Sequence, residues 1–221
     1  MGLYLVDLYR SPNIGIFLKA NDSTVLVPKG IASTKMEKLA SSLEVVACPT
    51  SIGETRLLGP LIAMNNKGII ASRMMEDYEM EEISSSTGLK VARLQSRFTA
   101  VGNLVAANDN GAVVSPVLEH HAVEQIEAAL GVKAHTMTIG DFSQVGAMIV
   151  ATNSGAAVSP RASEEEGEAI GRILKVDVSA SSVNGGIPFP ASGVVANAKD
   201  AVAGNLTSGP ELVFLTRALK V

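Results

Sequence analysis

Short apolar runs alternate with short polar breaks along this chain, and the breaks return at a regular interval. The clearest copy spans residues 102–116: Gly102, an apolar run through Ala107, the polar turn Asn108-Asp-Asn-Gly, a second apolar run and an exiting Ser115-Pro116. Two apolar runs around an Asn- and Gly-rich break predict a β-hairpin. The same figure stands at 59–73 and 146–160, and in each the opening glycine falls nine positions before the turn glycine: Gly59 and Gly68, Gly102 and Gly111, Gly146 and Gly155. Degenerate copies open at Gly15, which lacks the turn glycine, and at Gly193, which is shortened in the turn. Opening glycines at 15, 59, 102, 146 and 193 are spaced by 44, 43, 44 and 47 residues. That interval is the signature of a repeated supersecondary unit, stacked or arranged in a ring.

Each exit leads into apolar positions three and four apart, such as Val123, Ile126 and Leu130, which predict one amphipathic helix per unit. The helices are expected over 36–43, 75 to about 86, 122–130, 168–174 and 212–219. Thr34 with Glu37, Ser163 with Glu166 and Ser208 with Glu211 have capping-box spacing. Gly88 and Gly131 stand where a left-handed C-cap is cheapest for glycine. Closing strands follow at 43–47, 89–94, 132–138 and 174–179, and a surplus strand over 1–9 precedes the first unit. The fifth unit ends after its helix, without room for a closing strand. Both irregularities are explained if the N-terminal strand completes the last unit, which also removes two exposed sheet edges. The expected architecture is therefore α/β: one five-fold pseudosymmetric ring over 1–221, a single domain with sheets towards the axis and one helix per unit outside. An open α/β solenoid, the rival, would need capping repeats that the sequence does not supply.

Composition narrows the function classes. With 47% hydrophobic and 18% charged residues and a mean hydropathy of +0.27, the chain is too apolar to be disordered, and its apolar runs fall short of a membrane span. The first twenty residues carry Asp7 and Arg10 and lack the plan of an export signal, and a lone Cys48 suits a reducing interior, so a cytoplasmic location is expected. A net charge of −4 does not favour nucleic acid as the main partner. The nearest basic cluster, Arg93 with Arg97, reads as solvated surface charge.

Most candidate chemistry has a plainer explanation. Asn110-Gly111 reads as a source of the positive φ angles of a two-residue turn, and the opening glycines as permitting close backbone approach near the axis. Five-fold rings do host guanidine-modifying enzymes with a cysteine nucleophile, a histidine and acidic residues, which makes Cys48 a candidate. Its thiolate would need a base within reach, whereas His120, His121 and His135 all belong to the third unit. Adjacent helix positions such as His120 and His121 diverge too far to share one metal ion. Glu164, Glu165 and Glu166 read as first-turn helix stabilisation, and Asp77, Glu79, Glu81 and Glu82 as the wet face of a helix. No cofactor, metal or catalytic constellation is expected. The residues just after the opening glycines are Ile16, Pro60, Asn103, Ala147 and Val194. They should recur near the axis on one face, and such a mixed apolar and polar face suits a macromolecular partner.

Thr50-Ser-Ile-Gly53, Leu57-Leu-Gly-Pro-Leu61, Phe98-Thr-Ala-Val-Gly-Asn103, Asn108 to Pro116, Val145-Gly146, Thr152-Asn-Ser-Gly155 and Thr207 to Leu212 together resemble the translation initiation factor 6 family in its archaeal form. The resemblance covers nearly the whole chain in order. It implies the pentein ring fold and a non-catalytic, monomeric factor that binds the large (50S) ribosomal subunit, blocks joining of the small one and serves in ribosome biogenesis. It further implies contact mainly with a ribosomal protein beside the sarcin-ricin loop, with limited rRNA contact and none with membrane. The family's contact surface carries over onto Asn103 and, by position, onto Pro60, where the eukaryotic pattern has a basic residue. The eukaryotic C-terminal tail has no counterpart here.

Overall fold

The computed structural model describes residues 2–221; Met1, included in the expected first strand, lies outside the described residues. The chain begins with β1 (Gly2–Val6), a 3₁₀ turn at Ile14–Ile16, the strands β2 (Lys19–Ala20) and β3 (Thr24–Pro28), helix α1 (Ser33–Leu43) and β4 (Val46–Thr50). The figure repeats with a short helix in place of the 3₁₀ turn: α2 (Leu58–Leu61), β5 (Ile62–Met64), β6 (Gly68–Ala71), α3 (Asp77–Thr87) and β7 (Lys90–Arg93). The third unit is α4 (Val101–Leu104), β8 (Val105–Ala107), β9 (Ala112–Val114), α5 (His120–Leu130) and β10 (Ala134–Thr136). The fourth is α6 (Val145–Met148), β11 (Ile149–Ala151), β12 (Ala156–Val158), α7 (Glu164–Leu174) and β13 (Val178–Ala180). The last is α8 (Pro190–Gly193), β14 (Val194–Ala196), β15 (Asp200–Gly204) and α9 (Gly209–Leu219).

Five three-stranded sheets result among the described residues. Each hairpin is antiparallel, and in four units the strand after the long helix returns parallel to the hairpin's second strand, as β7 does beside β6. A parallel return requires a crossover, which the helix supplies. The fifth sheet has no later strand to use. β1 fills the place, pairing parallel with β15 from Gly2↔Asp200 to Val6↔Gly204, as the surplus strand led one to expect.

No unit keeps a core to itself. Ala122, Ile126 and Leu130 of α5 pack with Val105 and Val114 of their own hairpin and also with Ala63 and Ile70 of the preceding unit. Leu26 and Cys48 of the first unit likewise pack into the core under α3. Burial on both sides of a hairpin explains why its strands read as continuous apolar runs rather than alternating ones.

The polar breaks link the units as well. Asn108 accepts the Asn110 and Gly111 N–H groups on Oδ1 at 2.9 and 3.1 Å and donates from Nδ2 to the Thr152 and Leu174 carbonyls at 3.0 and 2.8 Å. Its side chain thus forms its own turn and caps α7 of the next unit. Asn65 repeats this toward Asn108 and Leu130, at 3.0 and 2.8 Å, and Asn197 toward Leu43 at 2.7 Å. The turn glycines serve the same junction, not the backbone twist expected of them. Neither Asn110 nor Gly111 has a positive φ, because the Asn108 carboxamide shapes the turn. A Cβ at Gly111 would instead lie 2.3 Å from the Ile173 carbonyl oxygen, so glycine is needed to admit the last turn of α7.

Boundaries shift where caps outrank apolar periodicity. α1, α5, α7 and α9 begin two to four residues before their first expected positions, since first-turn residues face solvent and caps. The box at Thr34 and Glu37 does not form: Ala32 is the N-cap of α1. The boxes at Ser163 and Ser208 do form, and α3 adds one between Glu76 and Glu79. The first closing strand starts at Val46, not 43, because α1 continues to Leu43 and ends on a left-handed Glu44.

Asn108→Ala should lower stability by about 2–4 kcal/mol, since it leaves buried carbonyls and turn N–H groups unsatisfied. Asn110→Ala, which loses a single 3.2 Å bond to Leu174, should cost under about 1 kcal/mol. Urea unfolding of both variants checks this, and equal midpoints would contradict it.

Candidate functional site

Strand direction gathers the short helices, the loops leading into them and the N-termini of the long helices at one end of the molecule. The hairpin turns and long-helix C-termini lie at the other. At the first end, the short helices touch in a fixed order: the 3₁₀ turn with α2, α2 with α4, α4 with α6, α6 with α8, and α8 with the 3₁₀ turn. They approach through backbone. A Cβ on Gly59 would stand 1.8 Å from the Gly15 carbonyl oxygen, and one on Gly102 1.9 Å from that of Gly59. No side chain fits between them.

This packing fixes the register of the expected face. Gly59, Gly102 and Gly146 are each the second residue of a short helix, and in α8 that residue is Ala191. Gly193 is instead the fourth residue, so the position matching Ile16, Pro60, Asn103 and Ala147 is Ser192. Val194 opens β14 and is only 2% exposed, and it is corrected from a surface candidate to a core residue. Counted to Ala191 the spacing before the fifth unit is 45 residues, and its hairpin turn from Asn197 to Asp200 is not shortened but spans as many residues as that from Thr152 to Gly155. The one extra residue lies in the loop ahead of α8, where Gly185 and Gly186 have positive φ. Ile16, Pro60, Asn103, Ala147 and Ser192 are all half-buried, and together with Val194 they line one cavity of about 410 Å³ to which all five units contribute. Ser192 satisfies itself on the Phe189 carbonyl at 2.7 Å.

The loops around this face carry residues that sequence patterns passed over. Tyr9, Leu57, Met74, Ile187 and Leu206 are exposed there, Leu206 at 62%. Arg56 stacks over Tyr9 at 5.2 Å, Arg97 over Phe98 at 4.7 Å and Arg161 over Phe142 at 5.2 Å. Aromatic residues, methionine and arginine are the types enriched in protein contacts. Their one sequence signal was an apolar or aromatic residue inside a segment otherwise composed for turns. Arg93 and Arg97 are not free charges: Arg93 pairs with Asp77, and Arg97 lies 3.8 Å from Glu119.

Glutamates hold these loops in place. Glu79 accepts the Ser51 hydroxyl at 2.6 Å and the Gly53, Glu54 and Glu76 N–H groups at 2.7, 3.0 and 2.9 Å. It is therefore a fully buried clamp (0% exposed) and not part of a wet helix face; Glu82, grouped with it, pairs with Lys29 at 2.6 Å. Glu211 repeats the clamp on Ser182, Gly185, Gly186 and Ser208, and Glu166 does so on Gly140 and Ser163. Burial pushes the Glu211 carboxyl up, yet the donors from Ser208, Ser182, Gly186 and Gly185 outweigh it and hold the pKa at about 2. In the first unit the signs are reversed, with Lys35 reaching Asp7 at 2.7 Å.

Cys48 lies in the core with Leu26, Ile52 and Leu58, and burial raises its thiol pKa. No histidine joins it. His121 meets the Gln95 carbonyl at 2.7 Å and His120 lies 3.3 Å from Glu124. Among the described residues no group of three or more His, Cys, Asp or Glu could hold a metal ion, and no helix is long and apolar enough to cross a membrane.

The sequence profile of the eIF-6 family matches residues 3–218. The chain is 44% identical over 218 residues to "Translation initiation factor 6" of Nitrosopumilus maritimus, covering 99% of each chain. It is 42% identical to the protein of that name from Cenarchaeum symbiosum, again over 99% of each. To that of Pyrococcus horikoshii it is 33% identical, with 99% of each chain covered.

Because its folded pKa is depressed to about 2, Glu211 contributes stability that is fully present above the ordinary carboxylate range and lost as pH falls toward 2. Glu211→Gln should remove up to about 3 kcal/mol at neutral pH and flatten the decline in stability below pH 5. Urea unfolding from pH 3 to 7 measures both, and parallel wild-type and variant curves would contradict the clamp.

Proposed function

The chain belongs to the eIF-6 family, and on that premise we propose that it is a non-catalytic translation factor that binds the large ribosomal subunit. Bound there, it sterically prevents the small subunit from joining, and it acts in large-subunit maturation in the archaeal cytoplasm. The observation that carries this reading is the full-length likeness, at up to 44% identity, to proteins named translation initiation factor 6.

We read the architecture as a closed pentein ring, a single domain of five repeats. The pairing of β1 with β15 and the cyclic order of short-helix contacts support that reading. The end that carries the short helices is the proposed contact face. Ile16, Pro60, Asn103 and Ala147 lie on it, with Ser192 in the fifth unit, and exposed Tyr9, Leu57 and Met74 extend it. A rigid face of mixed apolar and polar character suits a ribosomal protein near the sarcin-ricin loop, with limited rRNA contact, better than it suits a small substrate. Pro60 offers no charge, so affinity at that position comes from shape and burial. The burial of Cys48 away from the shared cavity supports a non-enzymatic role over guanidine chemistry.

Sedimentation of archaeal ribosomal subunits, at magnesium concentrations where they join, tests the proposal. The protein should migrate with the large subunit and hold the subunits apart; failure to bind either subunit over a range of salt overturns it. Asn103→Ala should weaken subunit binding by about tenfold while leaving the thermal midpoint unchanged, because the Asn103 side chain makes no hydrogen bond within the described residues. Cys48→Ala should bind as the wild type does.

A further inference from the structure

The shared cavity contains one residue that neither packing nor the proposed contact face accounts for. Counted back two positions from the turn residues Asn21, Asn65, Asn108, Thr152 and Asn197, the inner strands place Lys19, Ala63, Ala106, Val150 and Val195 at one register position. All five line the cavity. Four are small and aliphatic, and the fifth is a lysine.

Lys19 is the sole titratable side chain of that lining. It takes part in no side-chain hydrogen bond or ion pair among the described residues, and β3, β5 and β14, the strands packed against β2, carry no titratable side chain. Lys19 is half-buried, and an ammonium beside alkyl groups loses part of its hydration, which is costly unless an anion answers the charge. Consistent with that, burial pulls the Lys19 pKa down to about 8. The cavity, at about 410 Å³, falls within the range of about 300–1,000 Å³ typical of small-molecule sites.

We propose that this cavity is a binding site for a small monoanion with a compact apolar body, of the class of short-chain monocarboxylates, with Lys19 holding the carboxylate. One cation answers one negative charge, and the aliphatic positions around it, Ala63, Ala106, Val150 and Val195, accept an alkyl body but leave a polyanion unsolvated. Nucleotides and inorganic phosphate are thereby disfavoured. The cavity is lined in part by Ile16, Pro60, Asn103, Ala147 and Ser192 of the proposed contact face, but Lys19 lies on β2, outside the short helices, and the proposal does not rest on the ribosomal reading.

Isothermal titration calorimetry of the full chain with hexanoate, and with neutral hexanamide as the control, tests it. Hexanoate should bind saturably at one site, Lys19→Met should weaken it by at least about tenfold, and Lys19→Arg should retain most of the affinity. Hexanamide should not distinguish the three proteins. Wild-type affinity for hexanoate should also fall between pH 7 and 9, as Lys19 loses its proton near pH 8. Absence of saturable hexanoate binding, or equal affinity in Lys19→Met, overturns the proposal. If Lys19→Met does not fold, the pH series decides, because pH-independent binding would exclude Lys19 as the anchor. Subunit sedimentation of Lys19→Arg should match the wild type in either case, which separates failure here from failure of the ribosomal reading.

Discussion

A buried side-chain amide that satisfies two units at once is the constraint on which the structure depends. Asn65, Asn108 and Asn197 each shape their own turn through Oδ1 and cap the long helix of the following unit through Nδ2. Helix C-termini leave carbonyls without intrahelical partners. Here the neighbouring unit provides the donor, so a unit in isolation would expose unsatisfied groups on both sides. A second layer repeats the logic outside the first. Each of the Asp22, Asn66 and Asp109 N–H groups donates to the side chain of the next unit's Asn66, Asp109 or Asn153, and Ala198 returns to Asp22. Stability therefore resides in the junctions, in keeping with cores shared between units.

The same economy makes the opposite end rigid. Backbone-to-backbone packing fixes the short helices against one another, and the glutamate clamps fix the loops that flank them. A preorganised face loses little conformational entropy when it meets a partner. Such a face suits the steric role proposed above, which needs a surface held in place without a moving part. Stacking of Arg56, Arg97 and Arg161 on aromatic rings restrains those side chains too.

Much of this was legible in residue patterns because the repeat multiplies weak signals. One hairpin figure is unremarkable, but five at near-constant spacing gave the unit, its helix and the role of the surplus N-terminal strand. Side-chain roles between units were not legible. Asn110-Gly111 has the composition of a two-residue turn, and nothing local reveals that Asn108 does the shaping or that Gly111 clears a helix end distant in sequence. Glu79 sits among acidic residues that do face water, and burial singles it out only once the loop of Gly53 is in place. The register slip at Val194 has the same origin: Gly193 mimics an opening glycine locally, while the helix contacts assign that place to Ala191. Lys19 was hidden because one polar residue at the edge of a strand carries no periodic signal.

The seam between the first and last units is where these interactions face their hardest task. Side-chain hydrogen bonds there join residues up to 176 positions apart, and long loops carry the larger closure entropy, although the increment per residue is small. The seam is correspondingly the most varied in chemistry. Asn184 donates to the Pro12 carbonyl at 2.9 Å, Asn197 caps α1, Lys35 pairs with Asp7 and β1 contributes a full parallel ladder. Elsewhere an amide caps the next long helix only from the second unit to the third and from the third to the fourth. Side-chain bonds that vary from unit to unit cannot be satisfied by the wrong neighbour, whereas identical junctions would exchange partners. The irregular fifth unit, longer by its Gly185-Gly186 loop, thus specifies which end meets which, and the departures from the repeat select one arrangement out of several that the repeat alone would allow.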